Sequence, residues 1–255
     1  MIRLKTPADI AILAEGGAIL ADILRRVASL AAVGVSTAEL DRVATELIAQ
    51  AGGVPAFKGY RPTPSDEPYP TTLCASINEE VVHGIPSPAR LLQAGDVLSI
   101  DIGMRYRNRF TDTATTVIIG AGSPAAQKLL AVTNESLRRG IAQVKPGNTI
   151  MQIAQAIQGY VEGNGLAVVK DLVGHGVGFD IHEDPRVPNF VAINEPAVIL
   201  RPGLVIAIEP MVTAGTDRVD TLDDGWTVVS ADGSLAAHFE HTVAVTADGV
   251  QILTA

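Results

Sequence analysis

Apolar positions recur at helical spacing from Ile10 to about Ala31, behind a start signal in which Thr6 can cap, Pro7 takes the first position and Asp9 lies in the first turn. Gly16-Gly17 marks a point where that helix can break. Val33-Gly-Val-Ser-Thr37 ends the pattern, and a second helix is expected from Ala38 to about Gln50, closed by Gly52-Gly53. Residues 54–70 are rich in Gly, Pro and aromatics (Phe57, Tyr60, Tyr69), and Arg61–Pro68 reads as a surface loop. Short strands are expected around Thr72–Ser76 and Glu80–His83. After Ser123, which can cap, and Pro124, two amphipathic stretches at 125–143 and 149–163 predict a second pair of helices. Beyond Gly165 short strands return, interrupted by Gly174-His-Gly-Val-Gly178, and 198–255 is β-rich.

The alternation is clearest in Ser99–Thr113, which predicts two strands joined by a polar turn, with Asn108 suited to a left-handed backbone. Side chains alternate faces along a strand, so Val97, Ser99, Asp101 and Gly103 share one side and Leu98, Ile100, Ile102 and Met104 the other. If the loop holds an even number of residues, Asp101 and Asp112 fall on one face, opposite or diagonal. Neighbouring carboxylates repel unless a cation or a proton sits between them. Taken alone, the hairpin equally fits a polar face with two solvated acids.

The elements come round twice. Leu24-Arg-Arg26, Gly34 and Thr37 compare with Leu137-Arg-Arg139, Gly147 and Thr149. Gly95–Asp101 compares with Gly203–Glu209, each running from a glycine through an apolar strand to a carboxylate. A helix pair followed by strands, in the same order in both halves, predicts two similar halves about a shared centre.

Composition narrows the class. With 255 residues, 47% hydrophobic and 18% charged, the chain can bury a sizeable core. A formal charge of −9, with no basic cluster to offset it, argues against a nucleic-acid surface. The single cysteine, Cys74, excludes an internal disulfide and fits a reducing compartment. The N-terminus lacks the apolar core of a signal peptide, and no apolar run is long enough for a membrane span. A cytoplasmic protein is the expectation.

Glu209 extends the apolar face of a Leu204–Met211 strand behind Val205 and Ala207, and Glu240 has apolar neighbours on both sides; such acids are costly to bury unless paired or metal-bound. His175 is flanked by glycines that let the backbone approach a site closely. Asp101, Asp112, His175, Glu209 and Glu240 together make a hard, oxygen-rich set suited to two divalent ions such as Mn, Fe or Co, with Zn admissible. Paired ions about 3.5–4 Å apart share a water and lower its pKa to about 7, which implies hydrolysis. H-E-x-x-H, G-x-S-x-G and P-loop patterns are absent. Singly, each candidate also has a plain structural role: Cys74 as a small buried residue, His175 and His182 as satisfied histidines, Trp226 as a strand aromatic.

Seven segments, in order, make the chain resemble a type I methionine aminopeptidase: Tyr69-Pro70 with Cys74–Pro86, Ser99–Gly103, Asp112-Thr113, Gly174–Gly178, His182–Pro185, Ile208–Met211 and Phe239–Thr242. The resemblance covers nearly the whole chain. It implies an α+β pita-bread fold: a single catalytic domain over 1–255, with halves of roughly 1–120 and 121–255 around a curved antiparallel sheet. It implies that the five residues bind two metals, with Asp112 and Glu240 bridging. A metal-bound hydroxide would attack the scissile carbonyl and Glu209 would act as general base. His182 would stabilise the oxyanion, and His83 would sit near the scissile nitrogen. Tyr60, Tyr69, Cys74 and Trp226 would wall the methionine pocket. The implied reaction is removal of the initiator methionine from nascent polypeptides with a small second residue. A cytoplasmic monomer is implied, with the ribosome a candidate partner. The Tyr60–Tyr69 loop is longer than the family's, which sets against both tyrosines reaching the pocket. Ile181 stands where the family often has Phe. Two alternatives are a proline-directed aminopeptidase or dipeptidase on the same fold, and a metal-free pita-bread binding protein.

Overall fold

The structure, a computed structural model, describes residues 1–192 and 197–255. The first part of the chain folds as α1 (Pro7–Leu30), α2 (Thr37–Gln50), β1 (Val54–Pro55), β2 (Leu73–Ile77), β3 (Glu80–Val82), β4 (Val97–Tyr106) and β5 (Arg109–Ile118). The second part repeats the theme with α3 (Pro124–Ile141), α4 (Ile150–Gly163), β6 (Ala167–Val168), β7 (Gly174–Gly176), β8 (Glu183–Val187) and β9 (Val205–Ile208). It continues through β10 (Met211–Thr213), β11 (Val219–Thr221), β12 (Val228–Ser230), β13 (Ala236–His238), β14 (Glu240–Thr246) and β15 (Gly249–Ile252). The main antiparallel sheet runs β1-β4-β5-β14-β9-β7-β8, with β2 also on β4 and β15 also on β14. Two small sheets, β13-β10-β6 and β11-β12-β3, complete it.

Helix α1 starts as the sequence predicts: Thr6 and Asp9 cap each other reciprocally, with Pro7 in the first turn. It does not break at Gly16-Gly17. Gly17 is instead a packing position, because a Cβ there would lie 2.2 Å from the Leu253 carbonyl oxygen. Ser123 and Thr149 cap α3 and α4.

The repeat is visible in backbone detail. Gly34 and Gly147 have φ of 85° and 89°, and Gly95 and Gly203 have φ of 96° and 93°. Ser36, the cap of α2, bridges Leu91, as Thr149, the cap of α4, bridges Ile199. The partner of Thr149 is thus Ser36 rather than Thr37.

Register sets the two faces of the sheet. Ile102, Thr113, His241 and Ile208 form one cross-sheet row, and Asp101, Ala114 and Glu240 form the next row, on the opposite face. On the first face, Leu98, Ile100, Ile102 and Met104 pack under α1 and α2. Ile206, Ile208, Val243 and Val245 pack under α3 and α4 on the same face. With helices covering one side, the other is free to carry polar groups. At the seam, Thr113 Oγ1 donates to the Glu240 carbonyl at 2.9 Å.

One expected element differs. The apolar run Leu204–Met211 is two strands in different sheets, β9 and β10, with Glu209-Pro210 at the corner. Pro210 has no N–H to give to a ladder, so the pairing ends there.

Candidate metal centre and active site

The β4–β5 hairpin closes through Arg107 and Asn108, both with positive φ (47° and 59°), as a two-residue turn of this kind requires. With an even loop, Gly103 faces Asp112 and Asp101 faces Ala114, so the two carboxylates are diagonal neighbours on the site face. Asp112 is pinned by Thr242, whose hydroxyl accepts from the Asp112 N–H at 3.0 Å and donates to its carbonyl at 2.7 Å. Glu240 arrives from β14, Glu209 from the β9–β10 corner and His175 from β7. His175 Nε2 lies 3.5 Å from Glu209 Oε1 and 3.8 Å from Asp112 Oδ2.

The glycines beside His175 allow close approach of backbone. A Cβ on Gly176 would lie 2.2 Å from the Asp184 carbonyl oxygen.

Among the described residues, donor atoms gather within 4.8 Å of one another in three groups: Asp101, Asp112 and Glu240; His175, Glu209 and Glu240; and Asp112, His175 and His182. The first two contain all five expected ligands and share Glu240. Asp112 and Glu240 are buried, and Asp101 Oδ1 and Glu240 Oε1 have no hydrogen-bond partner. Buried carboxylate oxygens without donors are strongly disfavoured unless neutralised. Burial, partly offset by His238 and reinforced by Glu209, pushes Asp101 up to about 7. Asp112 and Glu240 are driven well above the carboxylate range, by burial first and then by the acids around them. An oxygen-rich cluster with one imidazole and orphaned oxygens fits hard divalent cations.

Every site candidate from the sequence lines one cavity of about 200 Å³: the five donors, His83, His182, Tyr60, Tyr69, Cys74 and Trp226. Both tyrosines reach it despite the long loop. Tyr69 is buried, its hydroxyl 3.1 Å from the Gly84 carbonyl and its ring edge-on to Trp226, with centroids 5.2 Å apart. Tyr60 leans on His182 at 4.7 Å, and His182 stands 4.3 Å from the His175 ring. His182 is exposed, yet desolvation by the walls around it, with His175 and His83 nearby, shifts its pKa downward. Burial foremost lowers His83 to about 4. Both imidazoles are therefore neutral near pH 7, each with one N–H to donate. His83, just after β3, sits at φ 60° in the left-handed region. Cys74, opposite Asp101 on β2, is buried and its thiol is raised by that burial, so it acts as a small apolar wall.

Sequence reasoning missed Phe57 and Pro62, which also line the cavity, whereas Ile181, singled out from the sequence, packs on Phe57, Tyr69 and Cys74. Phe57 stands three residues before Tyr60, but an aromatic inside an irregular loop carries no periodicity to reveal its direction. His238 was also missed: its Nε2 is 3.5 Å from Glu209 Oε2.

The profile of metallopeptidase family M24 matches residues 11–247. The chain belongs to family M24. Within that family its relatives are methionine aminopeptidases. It is 46% identical over 254 residues to methionine aminopeptidase 1 of Bacillus subtilis, covering 100% of this chain and 99% of that one. It is equally 46% identical over 254 residues to methionine aminopeptidase of Aquifex aeolicus, covering 99% and 98%. The crystal structure of methionine aminopeptidase from Thermotoga maritima matches with a TM-score of 0.94 at 40% identity, over 100% of this chain and 99% of that chain. The fold is therefore the M24 pita-bread fold. Prolidase from Pyrococcus horikoshii shares the fold at a TM-score of 0.78 and 21% identity, but this chain spans only 63% of it. The proline-directed alternative thus has a likeness of fold alone, and the relatives at high identity are methionine aminopeptidases.

Proposed function

We propose that this M24 methionine aminopeptidase removes the initiator methionine with two divalent metal ions held by Asp101, Asp112, His175, Glu209 and Glu240. The observation that carries this reading is the convergence of buried, mutually repelling acids on one cavity whose other wall is apolar. Glu240 belongs to both of the donor groups that together hold the five residues, which supports a shared role for it, and Asp112 would be the second shared ligand. Metals bound there supply Lewis acidity toward a carbonyl and toward water.

The protein's own groups do the rest. Glu209 accepts the proton released by the attacking water, as general base. Neutral His182 donates its N–H to the oxygen on which negative charge develops. His83, 6.2 Å from Trp226 between ring centroids, faces the leaving nitrogen. Phe57, Tyr60, Tyr69, Cys74 and Trp226 enclose an unbranched methionine side chain and exclude water. Seated there, the methionine leaves little room for its neighbour, which favours a small second residue. A free α-amino group is the natural partner of the acid cluster, which makes the enzyme an exopeptidase.

The catalytic unit spans 1–255 as two halves, 1–120 and 121–255. Among the described residues no helix is long and apolar enough to cross a membrane. A cytoplasmic monomer acting on chains emerging from the ribosome fits this reading. The test is peptidase assay of metal-reconstituted protein on Met-Ala, Met-Leu and Ala-Pro peptides. Cleavage of Met-Ala above both others is expected, whereas preference for Ala-Pro contradicts the reading.

A further inference from the structure

We propose that His238 is a positioning residue of this metal centre: its Nε2–H holds Glu209 Oε2, leaving Glu209 Oε1 turned toward His175 and the cavity. This inference rests on the metal-ligand and general-base roles assigned to Glu209.

His238 is 1% exposed, and among the described residues neither of its ring nitrogens has a hydrogen-bond partner. Burying an imidazole without partners is destabilising, so a mere core filler would be better served by an apolar side chain. Glu209 lies 3.5 Å away, between Nε2 and Oε2. The other Glu209 oxygen, Oε1, is 3.5 Å from His175 Nε2. The two carboxylate oxygens are thus divided between an imidazole on the buried side and one on the cavity side. A 3.5 Å approach is longer than a normal hydrogen bond, and hydrogen bonds of this kind tighten when a site is filled.

The backbone of His238 is fixed on both sides of the ring. Thr116 Oγ1 accepts from its N–H at 2.9 Å and donates to its carbonyl at 2.6 Å, and Thr116 is itself 2.8 Å from Ser99 Oγ. Across the small sheet His238 pairs with Met211, two residues after Glu209, so the strand register holds ring and carboxylate together. His238 belongs to none of the donor groups that could hold an ion among the described residues. It therefore acts through Glu209 rather than as a ligand. A neighbour that orients a metal-binding carboxylate is worth about 10- to 100-fold in metal affinity or activity.

H238Q and H238M test this directly, because the two side chains are alike in shape and only glutamine keeps an N–H donor. In calorimetric titration of metal-free protein with Mn, H238M is expected to bind about 10- to 100-fold more weakly than wild type, and H238Q within a few-fold of it. The kcat on Met-Ala should follow the same order with KM little changed. Equal metal affinity and kcat in H238Q and H238M would overturn the proposal. Long-range ¹H–¹⁵N spectra of wild-type protein loaded with diamagnetic Zn give a check that needs no variant. A proton on His238 Nε2 is expected, and a bare Nε2 with the proton on Nδ1 overturns the proposal. Glu209→Ala separates the two levels. Undiminished metal binding and activity there would sink the Glu209 assignment itself, and the role of His238 with it.

Discussion

Thr242 threads its hydroxyl between the N–H and the C=O of Asp112, with one hydrogen bond to each. A side chain thus completes the pairing of β5 and β14 where the two halves of the chain meet, beside a carboxylate of the candidate metal centre. Thr242→Val keeps the shape and removes both bonds, leaving two buried backbone groups unpaired. A loss of roughly 1–3 kcal/mol of stability is expected in urea unfolding, with weakened metal binding, and Thr242→Ser should retain most of both. Equal behaviour of the valine and serine variants would contradict this role.

The acid cluster makes stability and metal binding depend on pH in opposite senses. Asp101 is raised from 3.8 to about 7, and Asp112 and Glu240 are raised well above their usual range. A carboxyl whose pKa is higher in the folded state binds protons more tightly there than in the unfolded chain. Stability of the metal-free protein therefore falls as pH rises from about 4 through about 7. Metal binding requires the protons to leave, so affinity rises with pH over the upper part of the same window. Thermal unfolding of metal-free and Mn-loaded protein across pH 5 to 8 checks both, and a gap between the two curves that does not widen with pH would count against the cluster.

At the start of α1 the sign is reversed. Asp9 Oδ2 accepts from the Thr6 N–H and hydroxyl, and Oδ1 accepts from Arg109 Nε at 2.9 Å. The Thr6 hydroxyl, against opposing burial and with help from Arg109, lowers Asp9 from 3.8 to about 2. A depressed carboxyl stabilises the fold above its unfolded pKa and loses that contribution as pH falls toward the folded value. Asp9→Asn is expected to lower stability by about 1 kcal/mol at neutral pH, with the difference from wild type closing between about pH 4 and pH 2. Paired denaturation curves at several pH values measure it.

Trp226 stands edge-on to both Tyr69 and His83 on the apolar side of the cavity. Trp226→Ala removes wall without touching a donor, so KM for Met-Ala should rise by roughly 10-fold with a smaller change in kcat. An unchanged KM would mean that the methionine side chain rests elsewhere.

How much of this was legible in the sequence depended on how local the cause was. The hairpin was readable because side chains alternate and Arg107-Asn108 makes an even loop, which fixes the relation of Asp101 to Asp112. The two halves were readable because Gly34 and Gly95 recur as Gly147 and Gly203. Glu209 was found for its cost in an apolar strand, yet the corner at Pro210 was read as strand, because which sheet Met211 joins is decided by β13 and β6, not by neighbours in sequence. Gly17 looked like a helix breaker because the contact that needs it comes from Leu253, far along the chain. Phe57 and His238 left no pattern at all: one lies in an irregular loop, and the other matters only through the carboxylate it faces.

Metal content measures the central claim most directly. After equilibration with Mn, wild-type protein should hold two ions per chain by elemental analysis. Asp112→Ala, with an unchanged far-ultraviolet spectrum, should hold at most one and show no cleavage of Met-Ala. An Asp112→Ala protein that keeps both ions and full activity would contradict the account.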